Sequence, residues 1–508
     1  MNLRMDKRLA DFLREVRHTT PDQKVYLVGG AVRDLVLGRG VKDLDFVVAD
    51  GSVRLAKAVR RRFDGVWYSL DDEHQTARVI LEQGQPDELV LDFTSFIGGS
   101  LEEDLRQRDF TINAMAIDLD NLKVVIDPLG GQEDLKKGRL RLGNPNSMLS
   151  DPLRALRAVR MTRAFDLDLT LEIYEQLRVA STYLNRISGE RIRDELLKCL
   201  AIPDLTETYG LLRDFGILYE LQHRVFPQQV VQGELDNSTD ESISLDRWSW
   251  ENAYETHLEI TNHESDIISH RLSALEQLMQ VVEGRKTDPQ LLVEMEQRFG
   301  STDIQSHLKQ LFDESLQAGR TRKELLILLS LFFKHEPVFE SCNKKHMELK
   351  CLEFAENITN TFMLGQKEQK FFELVCVGYE KIMSLHQKDD VTPLQLYRYF
   401  KEVGSFGLES AILHKIEQQI SPSPNEKLIF LADEIIRAWF LEYQVIVDPP
   451  RLIDGIFLQK SFHLSPGPEL GYYLETIREA QVVGKVKNLE EAQALVMRMM
   501  KEGKSDVR

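Results

Sequence analysis

Short apolar runs separated by polar turns occupy roughly the first 140 residues, and they predict a mixed α/β segment. Paired glycines follow the first run, and the stretch 31–37 after them has helical spacing. A turn is indicated by Asp127-Pro128 and Gly130-Gly131. The apolar runs predicted as strands are 24–28, 44–48, 77–81, 88–93 and 123–126.

Helical periodicity dominates from about Asp151 to the end of the chain. Leu153, Leu156, Ala158 and Val159 are spaced as on one broad apolar helix face. Two polar stretches interrupt the helical pattern, and both are predicted as loops: 232–246 and 421–425. The expected fold class is therefore α+β, with a small mixed or antiparallel sheet in the head and an all-α remainder.

Composition narrows the class of protein. None of the apolar runs in the 508 residues approaches the roughly 20 needed to span a membrane, so we expect no membrane partner and a cytoplasmic location. Four scattered cysteines lack metal-ligand spacing. The net charge of -18 argues against a general nucleic-acid coat, yet basic residues concentrate between Arg106 and Arg163. That segment can offer a phosphate-binding surface, although a solvated helix face would have the same pattern.

Asp43 and Asp45 are the candidate metal ligands. Residues i and i+2 of a strand point to the same face, so these two carboxylates converge. Two like charges at short range are unfavourable unless a cation or a proton is shared between them. Mg²⁺ prefers oxygen ligands and keeps substrate phosphates in its shell, which suits phosphoryl transfer. Such a pair alone is weak evidence, because an ordinary surface strand often carries two acids.

A glycine turn one element upstream strengthens that interpretation. Gly29 and Gly30 lie between a predicted strand and a predicted helix, where backbone N–H groups can approach a triphosphate. Arg33 can add a charge-assisted contact to the phosphates. The glycines alone would be explained equally by a tight turn.

Together these motifs resemble the signature of the class II tRNA nucleotidyltransferase and bacterial poly(A) polymerase family. The resemblance covers the run from Gly29 to Asp34 and the Asp43-Leu44-Asp45 triplet, and a second motif runs from Asp104 to Ala114. It implies that Arg108, Asp109 and Asn113 position the ribose and triphosphate of the incoming nucleotide. The family usually has two arginines in a row, whereas Gln107 stands at the first position here.

A third motif would read the base. By the resemblance, Asp151 and Arg154 act as a protein template, with Arg157 and Arg160 following at one-turn intervals as further nucleotide-binding residues. A carboxylate accepts from an exocyclic amine and a guanidinium donates to a ring nitrogen or carbonyl, which favours C or A over U. Ser150 stands where the family usually has Glu, and an isolated Asp-Pro would otherwise indicate a helix N-cap.

Two supporting positions also follow from the resemblance. The run from Ser188 to Glu195 matches the last motif of the neck, where we expect Glu190 and Arg191 to brace the templating helix. Asp92 lies where the family often has a further carboxylate, and a plain edge-strand acid is an equal alternative.

The expected domains are a catalytic nucleotidyltransferase head (1–140), a helical neck with the base-templating motif (141–200), a helical body (201–440) and a tRNA-binding tail (441–508). Family members add CCA, CC, A or a poly(A) tail. Those that add CCA or poly(A) carry a longer flexible loop where this chain has only Ser95 to Leu101. The expected activity is Mg²⁺-dependent addition of C, as CC or as full CCA, to a tRNA 3′ end from CTP and ATP.

The tail supports a tRNA acceptor, because Pro450–Gly455, Leu464–Gly471 and Gln481–Gly484 resemble the family's tail region. A simple Pro/Gly helix junction would also explain the middle run. Long relatives carry a His-Asp phosphohydrolase pair that is missing around Lys334–Pro337, so no second activity is expected. The alternatives are a poly(A) polymerase, an inactive RNA-binding homologue, which the intact aspartates disfavour, and a small-molecule nucleotidyltransferase, which lacks the templating motif.

Overall fold

The computed structural model describes residues 3–71, 75–85, 87–226, 250–285, 303–333, 344–386 and 391–502. Contacts divide the chain into two compact units, Met1–Ile202 with Gly210–Leu221, and Pro203–Tyr209 with Gln222–Arg508. The predicted loop 232–246 and the segment 334–337 lie outside the described residues. No helix in the described ranges is long and apolar enough to cross a membrane.

The first unit is built on one mixed seven-stranded sheet, which confirms the predicted class of head. Its order is β3-β4-β5-β2-β1-β6-β7, and β2 and β5 pair in parallel while the other neighbours are antiparallel. The strands are β1 (Val25–Val28), β2 (Asp43–Val48), β3 (Val66–Asp71), β4 (Thr76–Leu81), β5 (Leu89–Ser95), β6 (Ala116–Asp118) and β7 (Val125–Ile126). The sequence pattern missed β3 and β6.

Helices alternate with the strands and continue beyond them. They are α1 (Lys7–His18), α2 (Gly30–Leu37), α3 (Ser52–Phe63), α4 (Leu101–Gln107), α5 (Gly131–Lys137), α6 (Ser147–Ser150), α7 (Arg154–Phe165), α8 (Leu171–Ser181) and α9 (Gly189–Leu200), with 3₁₀ turns at Thr111–Asn113 and Leu184–Arg186. The apolar face predicted after Asp151 is confirmed on α7, where Leu156, Ala158 and Val159 are buried.

One sheet face forms the core of the first unit. Side chains on alternate positions of β2, β4 and β5 are almost completely buried, as for Phe46, Val79 and Phe93. α3 packs against β4 and β5 on this side. The opposite face carries Asp45, and it therefore offers the surface on which chemistry can take place.

The remainder of the chain is helical with two small exceptions. The described helices are Leu205–Asp214, Ile217–Val225, Trp250–Val282, Asp303–Asp313, Arg322–Phe332, Lys344–Thr361, Gln366–His386, Pro393–Val403, Gly407–Ile420, Glu426–Leu441, Gly455–Phe462, Pro468–Val482 and Leu489–Glu502. The loop predicted at 421–425 is confirmed between two of them, and Pro468 begins a helix as expected.

The expectation of an all-α remainder is wrong at two short strand pairs. Arg139–Leu140 pairs in parallel with Asp168–Leu169, and Ser315–Gln317 pairs with Arg320–Thr321. Each pair involves two or three residues per strand, and the second closes a tight hairpin in which Gly319 has a φ of +80°. Such short pairs satisfy backbone groups at turns and leave no periodicity for the sequence to show.

Candidate active site

The catalytic candidates lie in a row of side chains across the sheet. Asp45 is directly opposite Val28 on one side and Asp92 on the other, and Asp92 is opposite Arg78. Residues opposite each other share a sheet face, so Asp45, Asp92 and Arg78 point to the same side. Asp43 begins β2 two residues before Asp45 and is exposed on that face. The predicted convergence of Asp43 and Asp45 therefore has the backbone register that it requires.

The backbone of Gly29 passes directly beside Asp45. Gly29 has a φ of +73°, and a Cβ placed there would lie 3.1 Å from Oδ2 of Asp45 and 3.2 Å from Nη1 of Arg108. A side chain at residue 29 would therefore be strained and would fill the space between a carboxylate and a guanidinium. That space is a cradle bounded by peptide backbone, a negative group and a positive group.

Asp45 is held in a state that favours a bound cation or proton. Its pKa is raised to about 6, first by burial and then by the charges of Asp92 and Asp43, with Arg108 and Arg157 acting in the opposite direction. A carboxylate in such surroundings is stabilised by sharing a cation with its neighbour. The oxygen donors of Asp43 and Asp45 and the open cradle at Gly29 fit a divalent metal whose other ligands come from phosphates.

Among the described residues, no group of three His, Cys, Asp or Glu side chains forms a metal cluster. Asp92 is near Asp45 but is engaged by Arg78, whose Nε and Nη2 donate to its two oxygens at 2.8 Å each. The residues that fit a metal are therefore the two aspartates of β2.

Arg33 points inward from α2. Its Nη1 donates to Oδ1 of Asn113 at 2.6 Å, its Nε and Nη2 donate to Asp34, and its guanidinium lies 4.2 Å from the ring centre of Phe165. The side chain is buried. In this arrangement Arg33 fixes Asn113, one of the residues assigned to the nucleotide, while Gly30 begins the helix behind it.

The second motif takes part in two ion pairs, Arg108 with Asp104 and Asp109 with Arg157. Nε and Nη2 of Arg108 donate to Oδ2 of Asp104. This buried carboxylate also accepts from the backbone N–H of Ile97 through Oδ1. Oδ2 of Asp109 accepts from Nε of Arg157 at 2.8 Å and its Oδ1 accepts from Asn113 at 3.0 Å. Asp104 thus aims Arg108 toward Gly29, and Asp109 joins the motif to helix α7.

The charge state of Asp109 follows from these contacts. Burial alone would raise its pKa, but the charge of Arg157 and hydrogen bonds from Asn113, Arg157 and the backbone of Phe110 outweigh burial. The pKa of Asp109 consequently lies below its ordinary value, and the carboxylate is ionised inside the protein. Asn113 bridges this carboxylate to Arg33, so one buried network connects α2, the 3₁₀ turn and α7.

Asp151 and Arg154 lie at the start of α7. Oδ2 of Asp151 accepts from Nη2 of Arg191 at 2.8 Å, so the expected bracing by Arg191 is present. Arg154 donates to the backbone carbonyls of Ser147 and Gln107, at 3.1 Å each. Asp151 is not the N-cap of α7, a position held by Leu153. Gln107 thus contributes its carbonyl oxygen to holding Arg154, whatever its side chain does.

Arg160 has a partner away from the nucleotide-binding candidates. Its Nε donates to Glu195 on α9, a carboxylate that is nearly fully buried. This pair ties α7 to α9 from within the neck. Sequence reasoning assigned Arg160 to the nucleotide because it continues the spacing of Arg154 and Arg157, and spacing alone does not reveal a long-range partner.

The sequence did not identify three acids that support the site: Asp104, Glu195 and Asp134. Asp134 is fully buried and accepts from Arg139, Arg141 and the hydroxyl of Thr111, which fixes the turn that carries Asn113. The pairing of Asp104 with Arg108 had a visible signal, since the residues are spaced i and i+4 at a helix end. The other two depend on contacts between distant elements.

The connection between β5 and α4 is short. β5 ends at Ser95 and α4 begins at Leu101, so only residues 96–100 lie between them. Ser100 caps α4 by accepting from the N–H of Glu103, and Ile97 is tied to Asp104. The segment whose length bears on nucleotide choice is therefore a tight turn anchored at both ends.

Comparisons with known proteins match large parts of this chain. A poly(A) polymerase head domain is recognised at residues 25–141, and a probable RNA and SrmB-binding site of polymerase A at residues 166–229. A CC-adding tRNA nucleotidyltransferase of Synechocystis sp. is 25% identical over 94% of this chain and 93% of its own. An A-adding tRNA nucleotidyltransferase of Deinococcus radiodurans is 28% identical over 94% and 95%.

A higher identity covers a shorter region. A CC-adding tRNA nucleotidyltransferase of Geobacter sulfurreducens is 37% identical over 179 residues, which are 35% of this chain and 40% of that protein. A solved complex of a CCA-adding enzyme with CTP has a TM-score of 0.63 and 20% identity, and it covers 98% of this chain and 96% of its own. That structure confirms the fold. In its sheet, its motifs and its matched head domain, the chain is similar to tRNA nucleotidyltransferases and poly(A) polymerases.

Proposed function

We propose that this protein adds two C residues to the 3′ end of tRNA, using CTP and releasing pyrophosphate. The observation that carries the proposal is the juxtaposition of Asp45, Gly29 and Arg108 around one cradle, with Asp43 on the same strand. Relatives named for CC addition and for A addition, which align with nearly the full chain, support the tRNA acceptor. The reaction would take place in the cytoplasm.

Asp43 and Asp45 would hold Mg²⁺, the metal whose preference for carboxylate and phosphate oxygens fits this donor set. When bound, such an ion activates the RNA 3′-hydroxyl and stabilises the leaving pyrophosphate. Arg108 lies next to the cradle and can donate to the triphosphate. Asp104 holds Arg108 in place before the nucleotide arrives, and the buried contact of Asp109 with Asn113 fixes these two side chains in the same way.

Asp151 and Arg154 would select the base. A side-chain oxygen of Asp151 can accept from the exocyclic amine of cytosine, whereas uracil has a carbonyl at the equivalent position and would face it with like polarity. Arg154 can donate to the ring nitrogen or carbonyl of cytosine. Arg191 and the carbonyls of Ser147 and Gln107 fix the two side chains relative to each other.

The short turn at residues 96–100 favours addition of CC alone over full CCA addition. Its two anchors, the cap at Ser100 and the contact of Ile97 with Asp104, limit its freedom to reshape the pocket for ATP. We also propose the domain roles given above, with catalysis in 1–140, base selection in 141–200 and tRNA binding in 441–508. Residues 1–200 fall within one compact unit, which suits their shared task.

Extension of tRNA transcripts ending at the discriminator base, at C and at CC is the direct test. Each is incubated with Mg²⁺ and with CTP, ATP or both, and the products are read at single-nucleotide resolution. We expect the first transcript to gain two C residues, the second to gain one, and none to gain A. Completion to CCA would overturn the argument from the short turn, long A tracts would favour a poly(A) polymerase, and no extension would favour an inactive homologue.

Arg154→Ala is expected to reduce the preference for CTP over UTP by about tenfold or more, since a good base contact contributes about 1–3 kcal/mol of discrimination. The ratio of kcat/KM for the two nucleotides measures this preference. Arg14→Ala, which removes an exposed arginine of α1, should leave the ratio unchanged. An equal loss of activity with both nucleotides would show that Arg154 only supports the fold around Ser147 and Gln107.

A further inference from the structure

Within the first unit, the described residues cover only one half of the sheet face that carries Asp45. On the covered half, Val28, Val47 and Ala116 pack with Leu105, and Leu101 and Phe96 pack against this cluster. The helix α4 and the turn before it therefore close the face over β1 and β6. Asp45 lies at the border of this covered region, because its strand β2 pairs with β1 on the covered side and with β5 on the other side.

The other half of the same face is open. Val66, Tyr68 and Leu70 of β3 are exposed by 40%, 41% and 49%, respectively. On the neighbouring strand β4, Ile80 lies opposite Val66 and Arg78 lies opposite Tyr68. We call this surface of Val66, Tyr68, Arg78 and Ile80 the open face, and Leu70 is left out of it because the register shifts between Ser69 and Asp71. Two large apolar side chains, Val66 and Tyr68, are thus exposed side by side on one face of an edge strand, as at binding surfaces.

The reverse side of β4 is buried. Ala77 and Val79 of β4 are completely buried, and α3 packs there. A strand buried on one side is expected to turn polar residues to solvent on the other. β3 instead presents Val66 and Tyr68 there, so this part of its outer surface is apolar without being part of the core.

The open face is continuous with the catalytic candidates. Asp45, Asp92, Arg78 and Tyr68 are successive partners across four strands. Neighbouring strands are about 4.8 Å apart, so Tyr68 lies about 14 Å from Asp45 along this row. A nucleic-acid strand whose terminal hydroxyl is at Asp43 and Asp45 would reach Tyr68 within a few nucleotides.

We propose that the open face binds the unpaired nucleotides just before the 3′ end of the RNA substrate. Tyr68 stacks on a base, and Arg78 donates to a backbone phosphate through Nη1, since Nε and Nη2 are directed at Asp92. Aromatic stacking with a backbone cation is how single strands are bound without a requirement for sequence. The inference rests on the proposed function, because it requires an RNA 3′-hydroxyl at the two aspartates.

Tyr68→Ala and Tyr68→Phe test the stacking contact without disturbing the carboxylates. Arg78 is left intact, because its removal would leave Asp92 beside Asp45 without its partner. The substrate is a tRNA minihelix, and KM is measured separately for the RNA and for CTP. Loss of one stacked base is expected to raise the KM for RNA about tenfold, while kcat and the KM for CTP stay within about twofold.

Tyr68→Phe keeps the ring and should behave like the wild type, and so should Leu171→Ala, which shortens an exposed leucine on α8. An unchanged KM for RNA in Tyr68→Ala, or an equal rise in Tyr68→Phe, overturns the proposal. If the wild-type protein extends no RNA, the proposed function fails. The same variants are then compared by fluorescence anisotropy with labelled minihelix, where an unchanged Kd overturns the open-face proposal by itself.

Discussion

Asp45→Asn and Asp43→Asn are each expected to lower kcat for nucleotide addition by about a thousandfold. Each substitution removes a negative oxygen donor, and the loss of several kcal/mol of metal-derived charge stabilisation corresponds to three powers of ten in rate. Single-turnover incorporation of CTP into a tRNA minihelix measures the chemical step. The amide has nearly the same volume as the carboxylate, so neither change should disturb the packing of β2.

Binding of RNA should survive the same substitutions. Phosphate contacts depend on Lys and Arg, and removal of an acidic side chain does not weaken them. We therefore expect the Kd for labelled minihelix to change by less than about twofold. Asp87→Asn, which alters an exposed carboxylate paired with Arg8 in the same unit, is the matched control and should retain full activity. Wild-type turnover in either strand variant would contradict the metal-site assignment.

The part of the site that could be predicted from the sequence is the part encoded locally. Asp43 and Asp45 are two residues apart on an apolar run, and Gly29 follows another, so the strand period and turn chemistry place them without any tertiary information. The mixed sheet followed by helices was predicted for the same reason. The actual strands begin or end within a residue or two of the predicted ones.

Partners of the charged side chains could not be predicted, because they join distant parts of the chain. Arg157 with Asp109 and Arg160 with Glu195 are separated by 48 and 35 residues. Helical spacing indicates which arginines share a face, but it does not distinguish an arginine directed at a nucleotide from one directed at a buried carboxylate. Arg33 illustrates the same limit, since its contact with Asn113 spans 80 residues.

β3 escaped prediction for a reason connected with the open face. A half-buried strand is detected by alternation of apolar and polar residues. In Val66–Asp71, apolar residues stand both at the inward position of Trp67 and at the outward positions of Val66 and Tyr68, and the register shifts after Ser69, so the contrast is lost. Apolar residues on the outward face thus remove the signal by which the strand would be recognised.

Arg157→Met is expected to destabilise the first unit by about 3 kcal/mol. Asp109 is almost completely buried, and loss of its cationic partner leaves a carboxylate in the interior with only Asn113 and a backbone N–H to compensate it. Methionine replaces most of the apolar volume of the arginine stem. Hydrogen exchange of the backbone around Asn113 and along α7 locates the effect, since the two units need not unfold together.

The double variant Arg157→Met with Asp109→Asn separates charge from packing. If the loss of stability arises from an uncompensated charge, neutralising Asp109 should recover a large part of the lost protection against hydrogen exchange. The effects of the two substitutions on stability should then be strongly non-additive. The loss of stability in Arg157→Met should also become smaller toward pH 4. When Arg157 is removed, burial raises the pKa of Asp109, and the carboxyl takes up a proton. Arg14→Met, at an exposed ion pair, should have no such effect. Additive losses at all pH values would mean that Arg157 stabilises α7 by packing, and the network from Arg33 to Arg157 would then have no electrostatic basis.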